Sequence, residues 1–264
     1  MKLSWMFVAG LPHLDIHTLS EDWALADALR GHWVLVSKSL NLSPSNWLDT
    51  NGERMYCAVI YLATAFALDD PIREDDHVEA ICEIASVRKP HTLSRTIFAV
   101  DGKEKASVDL LTSFIVRRVR GSNKKFAKTR DIWTGQDVAG DRIDDLLDAH
   151  HTMKNQHVIN SVGAGVFHTE INRIRDFNTA DFMYFKNFVV IAKASEWAHG
   201  RGRPTRLNAA RQCWYYGNVD DGDVIETRVA EVEPGVLMSA HHAPDGRRIF
   251  FSRSRMEPVR IAVR

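Results

Sequence analysis

The sequence predicts an α+β protein in which one structural unit occurs twice in tandem, each copy a long buried helix followed by a meander of long antiparallel strands. Three observations predict it. Residues 75–87 (DDHVEAICEIASV) and 220–232 (DDGDVIETRVAEV) both open on an acidic turn and continue as alternating β-branched runs, at an offset of 145 residues. Asp101-Gly102 and Asp245-Gly246 keep almost the same offset, 144 residues. Each lies between two alternating runs, where Asp-Gly is a strong hairpin signal. Each half also carries one long helical pattern ahead of its hairpins.

The first half opens with Lys2 to Leu11, a brief apolar run with no small-x-small cleavage site before Pro12-His13. A first strand fits it better than a signal peptide. Ser20 is the predicted N-cap of a helix that places Trp23, Ala24, Leu25, Ala28 and Leu29 at a period near 3.6, and Gly31 is its predicted stop. Strands follow at 75–87, Thr96–Val100 and Ser107–Arg118. Gly121 to Lys125 marks a boundary, and the polar stretch to about Asn155 reads as a connector with a short surface helix over Asp141–His151.

The second half repeats the plan. Its helix is predicted over Asp181–Trp197, with Phe182, Phe185, Val189, Ile191 and Ala192 dispersed around the axis, as in a buried helix. Gly200, Gly202 and Pro204 close it, and strands follow at 220–232, Val236–Ala240 and Arg248–Met256. The expected organisation is a first unit at 1–125, a polar connector at 126–158 and a second unit at 159–264. A long helix wrapped by a strongly curved antiparallel sheet is the hot-dog fold. The expected architecture is therefore a double hot-dog, its copies fused through one continuous sheet into one compact domain.

Composition narrows the function classes. With 34 Lys+Arg against 34 Asp+Glu, the chain lacks the cationic excess of non-specific nucleic-acid binding and has no polybasic membrane anchor. No segment approaches the ~20 apolar residues of a membrane span. Cys57, Cys82 and Cys213 are scattered, giving neither a disulfide framework nor a thiolate cage. Each is expected as a small buried side chain in a cytoplasmic, reducing setting. His241-His242 would point to opposite faces of a strand, His150-His151 falls in the connector, and no HExxH-type spacing occurs. No metal is expected. Gly163-Ala164-Gly165 is too short for a phosphate loop. His168 is either a satisfied sheet histidine or a residue facing the substrate cleft.

The string Arg173-Ile174-Arg175-Asp176-Phe177-Asn178-Thr179-Ala180-Asp181-Phe182-Met183-Tyr184-Phe185 would open the second helix. Unpaired N–H groups and the positive dipole end at such a site stabilise negative charge that develops on a carbonyl oxygen. Asp176 and Asn178 are then either catalytic or simple caps. The string resembles the segment that opens the central helix of hot-dog acyl-thioesterases, where Asp-x-Asn precedes small or polar residues and then Tyr-Phe. It departs from them at Thr179-Ala180-Asp181, which stands where Gly-His-Val is usual. A carboxylate at 181 suits the helix dipole but repels an oxyanion.

The first half has its own signature: Leu11-Pro12-His13-Leu14, Leu19-Ser20-Glu21-x-Trp23, His32-Trp33, and Asp49-Thr50-Asn51-Gly52-Glu53-Arg54-Met55-Tyr56. With the Asp-Phe-Asn…Tyr-Phe segment, and over nearly the whole chain, this resembles the double hot-dog biosynthetic family related to the leinamycin-pathway bifunctional acyltransferase/decarboxylase. The resemblance implies an enzyme of polyketide or related secondary metabolism acting on acyl-CoA and acyl-carrier-protein thioesters. Such an enzyme takes methylmalonyl-CoA, moves the acyl group onto a tyrosine, decarboxylates it and delivers propionyl to an acyl carrier protein. No cofactor is needed beyond the CoA thioester that serves as substrate, and the chain would act as a monomer or homodimer.

Tyr56 is the residue that matches the acylated tyrosine. A tyrosine nucleophile must shed its proton as it attacks, and Arg54 or a histidine would assist. Tyr61 lies five residues on. In a regularly alternating strand the two face opposite sides, so only one would line the site. His13, Ser20, Arg54, Tyr61, His168 and Tyr184 are the candidate substrate-binding residues. Two other classes remain open: a hot-dog thioesterase or hydratase/dehydratase, and a non-catalytic carrier-protein-binding module. The basic runs Arg117-Arg118-Val119-Arg120 with Lys124, Lys125 and Lys128, and Arg201, Arg203, Arg206 and Arg211, read as solvated faces. Their functional alternative is a rim for CoA phosphates or for an acidic carrier protein.

Overall fold

The computed structural model describes residues 1–43, 47–119, 121–129, 142–155, 164–201 and 205–258. The chain divides into two compact units, Met1–His151 and Thr152–Arg264. The first contains β1 (Lys2–Val8), a short 3-10 turn at Leu11–His13, α1 (Glu21–Leu40), β2 (Met55–Phe66), β3 (His77–Arg88), β4 (His91–Val100), β5 (Lys103–Arg117) and β6 (Phe126–Lys128). Helix α2 (Arg142–Asn155) follows. The second contains β7 (Gly165–Glu170), the short α3 (Arg173–Asp176), α4 (Phe185–His199), β8 (Arg206–Tyr215), β9 (Val224–Glu233), β10 (Val236–His242) and β11 (Arg248–Pro258).

Within the first unit the strands pair antiparallel in the order β1-β3-β4-β5-β2, with β6 on the end of β5. Within the second the order is β7-β9-β10-β11-β8. The two orders correspond strand for strand, and in both the long helix is inserted after the first strand. Each unit is a hot-dog, and the chain has the α+β double hot-dog fold that the repeat predicts.

Ser20 caps α1 as predicted, with the Trp23 N–H donating to its Oγ at 3.5 Å. Gly31 does not stop the helix, which runs on to Leu40 and ends on Asn41 in the left-handed region (φ 53°). The glycine serves close packing instead. A Cβ there would stand 2.9 Å from the Trp5 ring and 3.1 Å from the Cys82 Cβ, so α1 approaches β1 and β3 only because the side chain is missing. Val36 of α1 then packs with Trp47, Met55, Cys57, Phe114 and Val116 in a buried cluster.

Helix α4 begins at Phe185, four residues later than the pattern predicts. Residues 178–182 form a closed turn instead. The Asn178 N–H donates to the Phe182 carbonyl and the Asp181 N–H to the Asn178 carbonyl, both at 2.9 Å. Asp181 itself is left-handed (φ 60°), which no first turn of a helix accommodates. The helix ends at Gly200 as predicted; Gly202 and Pro204 lie outside the described residues, as do Asp141 and Gly163. Phe188 of α4 stacks on Phe250 (centroids 5.6 Å) and meets Tyr215 edge-on (5.7 Å). Burying each such ring is worth roughly 1.5–3 kcal/mol.

Both Asp-Gly pairs lie in hairpins, of different kinds. Asp101 and Gly102 both have positive φ (49° and 73°), the two-residue turn that matches strand twist. In the second unit only Gly246 is left-handed, within a longer loop closed by the Ala243 N–H donating to the Arg247 carbonyl (2.9 Å). All three cysteines are buried thiols outside any disulfide. Among the described residues no helix is long and apolar enough to cross a membrane.

Candidate active site

Tyr56 and Tyr61 lie on β2, which pairs with β5 in regular register from Met55↔Val116 to Val59↔Thr112. The register then shifts at Ile60, so that Tyr61 pairs with Leu111. Tyr56 pairs with Ile115, four residues from Leu111 on an uninterrupted stretch of β5. The two tyrosines therefore face the same side, away from α1, and the expected opposition is corrected: the extra residue at Ile60 resets the alternation. Tyr61 is buried (4 % exposed), whereas Tyr56 is half-buried.

Two guanidinium groups lie over the Tyr56 ring, Arg54 with its Cζ 5.7 Å from the ring centroid and Arg117 with its Cζ at 5.6 Å. Arg117 Nη2 also donates to Asn123 Oδ1 at 2.9 Å, which holds that side chain over the ring. At the rim, Arg118 approaches Glu53 (3.9 Å). Arg120 lies outside the described residues. A half-buried phenol beside two cations is suited to receive an anionic substrate and to stabilise charge that develops on a carbonyl or a leaving group. Sequence reasoning singled out Arg54 but left Arg117 in a solvated run. The usable signal was the pairing of β2 with β5, which brings the end of one strand beside the start of the other.

His13 and Ser20 come together at the start of α1, where both are structural. The Gly10 N–H donates to His13 Nδ1 (3.0 Å), and the His13 ring lies 4.9 Å from both Phe7 and Trp23. The Ser20 N–H donates to the His13 carbonyl (2.8 Å). Neither side chain reaches the Tyr56 face through any contact described.

The interior of the first unit holds a polar network that sequence reasoning passed over. His32, on the buried face of α1, places Nδ1 2.8 Å from Ser94 Oγ and Nε2 2.9 Å from Thr112 Oγ1, with Cys57 Sγ 3.8 Å from Nε2. The Thr112 hydroxyl donates to the Thr92 carbonyl (3.4 Å), so it accepts from Nε2–H and leaves Nδ1 to accept from Ser94. Burial pushes the imidazole down to about 3 and the Cys57 thiol up to about 12. Both are neutral at physiological pH, which makes Cys57 a poor nucleophile.

In the second unit the loop before α4 gathers Asp176, Asn178 and Tyr184. Asp176 is buried, which works to raise its pKa, but the Arg175 guanidinium (2.7 and 2.9 Å) and the Asn172 N–H (2.9 Å) outweigh that and hold the carboxyl below its usual range. Its carbonyl accepts from the Tyr184 N–H (2.8 Å) and from Asn187 Nδ2 (3.1 Å). Asn178 Oδ1 accepts from the N–H groups of Ala180 (3.0 Å) and Phe182 (3.2 Å). Both side chains thus shape the loop, and neither caps α4. Tyr184 is the N-cap residue, without a side-chain cap bond, and burial pushes its hydroxyl up.

His168 stands apart. It lies on the exposed face of β7 with its side chain 63 % exposed, 3.9 Å from Glu226, so it faces solvent and not a cleft. The adjacent histidines do diverge: His241 is fully buried, bonded to Thr227 (3.1 Å) and Ser239 (3.3 Å), while His242 is half-buried beside Arg248, Arg228 and Glu226. Among the described residues no group of three His, Cys, Asp or Glu side chains could hold a metal ion. The second basic run divides: Arg201 is exposed past the end of α4, while Arg206 and Arg211 are engaged within the unit. Arg211 is buried and donates to Glu196 (2.8 and 3.0 Å) and Ser254 (2.6 Å), Arg206 pairs with Glu231 (2.6 Å), and Arg203 is outside the described residues.

No family model matches the chain, and no curated protein matches it. Solved structures do. An acyl-ACP thioesterase from Bacteroides thetaiotaomicron VPI-5482 superposes with a TM-score of 0.66 at 13 % identity, over 97 % of this chain and 98 % of that one. A 12:0-ACP thioesterase from Umbellularia californica gives 0.70 at 10 % identity, over 98 % of both chains. A MaoC-like dehydratase from Phytophthora capsici gives 0.50 at 9 % identity, over 77 % of this chain and 72 % of that one. At such identities the likeness carries the fold alone.

Proposed function

We propose that the chain is an enzyme that acts on acyl-CoA and acyl-carrier-protein thioesters, with Tyr56 as the residue that takes up the acyl group. The observation that carries this reading is the placement of two guanidinium groups, Arg54 and Arg117, at 5.7 and 5.6 Å from the Tyr56 ring centroid. The similarity of the fold to that of enzymes named for acyl-ACP substrates supports the substrate class.

In the proposed reaction the phenol oxygen attacks the thioester carbonyl and its proton passes to the departing thiolate, so that an O-acyl tyrosine and free CoA thiol result. For a malonyl- or methylmalonyl-type group, the C–C bond to the carboxylate then breaks. CO2 leaves, and the enolate collects a proton from water. The thiol of a carrier protein attacks the tyrosyl ester, forms the new thioester and returns the proton to the phenol. The two arginines would hold the substrate's carboxylate before it is lost and offset the charge on the carbonyl oxygen during both transfers. No organic cofactor or metal enters this sequence.

Incubation with malonyl-CoA and methylmalonyl-CoA, with and without a carrier protein, tests it by intact mass. The expected result is an acylated protein in the absence of carrier and an acylated carrier in its presence, both lost in Tyr56→Phe. A Tyr56→Phe variant with full transfer would sink the tyrosyl mechanism. Hydrolysis to free acid without acyl-protein would favour the thioesterase reading instead.

A further inference from the structure

Helix α4 presents a regular stripe to solvent. Lys186, Val190, Lys193 and Trp197 follow one another at three- and four-residue steps, and Arg201 continues the line just past the helix end. Val190 is 40 % and Trp197 67 % exposed, and the Arg201 guanidinium lies 4.8 Å from the Trp197 ring centroid. The stripe runs for about 22 Å at the helical rise. Its charge is of one sign. The one acidic residue of α4 is Glu196, which points inward and is neutralised by Arg211. The equivalent helix α1 is different: it carries acidic Asp22 and Asp27, both partly covered, and Asp27 is paired with Arg30 and bonded to Trp5. Its tryptophan at the matching place, Trp33, is partly covered. An exposed tryptophan and valine among cations is a recognition surface rather than a solubilising one.

We infer that this face of α4 docks an acidic, helical surface of a partner protein, Lys186 and Arg201 meeting its carboxylates and Trp197 its apolar residues. The occupant is the carrier protein of the reading above, on which the inference rests. A helix laid along the stripe places acidic side chains at the same three- and four-residue steps, so the two charge rows can run in register.

The full chain titrated calorimetrically with an acidic holo acyl carrier protein tests it. Lys186→Glu/Arg201→Glu is expected to weaken binding at least tenfold and to flatten its salt dependence, and Trp197→Ala to weaken it by about tenfold. Both variants are expected to keep the parent's circular-dichroism melt and its acyl transfer to free pantetheine thiol. A charge-reversed variant that binds the carrier as tightly as the parent overturns the docking face, even if transfer to the carrier persists. Binding to phosphatidylglycerol vesicles that the reversal abolishes, without carrier affinity, also overturns it. If the chain consumes no acyl-CoA but binds the carrier through this stripe, the docking face stands and the catalytic reading falls.

Discussion

His32 and Glu196 occupy the same turn of the two central helices, each eleven residues past the first residue of its helix and each followed by a tryptophan. Both point into the interior of their own unit and meet hydroxyl-bearing strands, Ser94 and Thr112 in one case, Ser254 in the other. The duplicated fold has kept a polar anchor at one place while changing its chemistry. In the first unit the anchor is a neutral imidazole between two hydroxyls; in the second it is a carboxylate locked to Arg211. An apolar residue there would take a buried hydrogen-bond partner from the facing hydroxyls and the counter-charge from the guanidinium, which explains why the site stays polar in both copies.

The imidazole anchors predict acid sensitivity. His32 and His241 are each held at about 3 in the fold, chiefly by burial, against about 6.5 for a free histidine. Because the folded values are depressed, the unfolded chain binds the extra protons. Stability is thus full above about pH 6.5 and falls as pH drops from there toward 3, by up to about 1.4 kcal/mol per pH unit for each group. Urea midpoints are expected to fall between pH 7 and pH 5, and His32→Gln to shallow that dependence. Parallel pH profiles for parent and variant would refute the assignment.

The carboxylate anchor predicts strong non-additivity. Glu196→Gln removes the counter-charge from a guanidinium that is 1 % exposed and is expected to destabilise by about 3–5 kcal/mol. Glu196→Met combined with Arg211→Leu removes both charges and is expected to recover most of that loss, because a well-packed apolar pair escapes the desolvation penalty. Denaturation of the two singles and the double measures the coupling. A double variant as unstable as the sum of the singles would mean that the pair is held for reasons other than its charges.

The repeat was legible in the sequence because strand alternation and Asp-Gly turns are local signals, and the local signals agree with the pairing found: the Asp101-Gly102 hairpin joins β4 to β5 as read. The start of α4 was not, because an Asx-type turn around Asn178 competes with the helix for the same residues and wins through the left-handed Asp181. The Tyr56 and Tyr61 faces were misjudged for a similar reason: a bulge leaves no mark in the periodicity of its own strand and shows only against the partner's register. Arg211 looked like part of a basic surface because its counter-charge, Glu196, lies on another element.

Gly31 is a packing contact and not a helix stop. Gly31→Ala gains roughly 1 kcal/mol of helix propensity. It also forces a methyl to 2.9 Å from a Trp5 ring that cannot easily withdraw, since its Nε1 donates to Asp27 (2.8 Å) and Arg30 lies 4.4 Å over its face. Overpacking costs about 1–3 kcal/mol, so the net effect is expected to be a loss of about 1 kcal/mol. Thermal or urea denaturation decides it, and a more stable Gly31→Ala protein would show that β1 yields.

The proposed role of the arginine pair separates binding from packing. Arg117→Gln removes the charge beside the Tyr56 ring and, on a side chain two atoms shorter, the bond to Asn123, while leaving a polar amide at the end of β5. If that charge offsets an oxyanion during transfer, the acylation rate is expected to fall by about tenfold to a hundredfold, within the range seen when one such donor is removed. Stability should hold within about 0.5 kcal/mol, because the residue sits at the end of β5 and is only partly buried. Tyr61→Phe shares the face but is covered, so it is expected to retain transfer. Rates of protein acylation from methylmalonyl-CoA, read by intact mass at early times, distinguish the cases. Full rates in both Arg54→Gln and Arg117→Gln would leave the two cations without a part in the chemistry, and a loss in Tyr61→Phe equal to that in Tyr56→Phe would move the acyl acceptor five residues along β2.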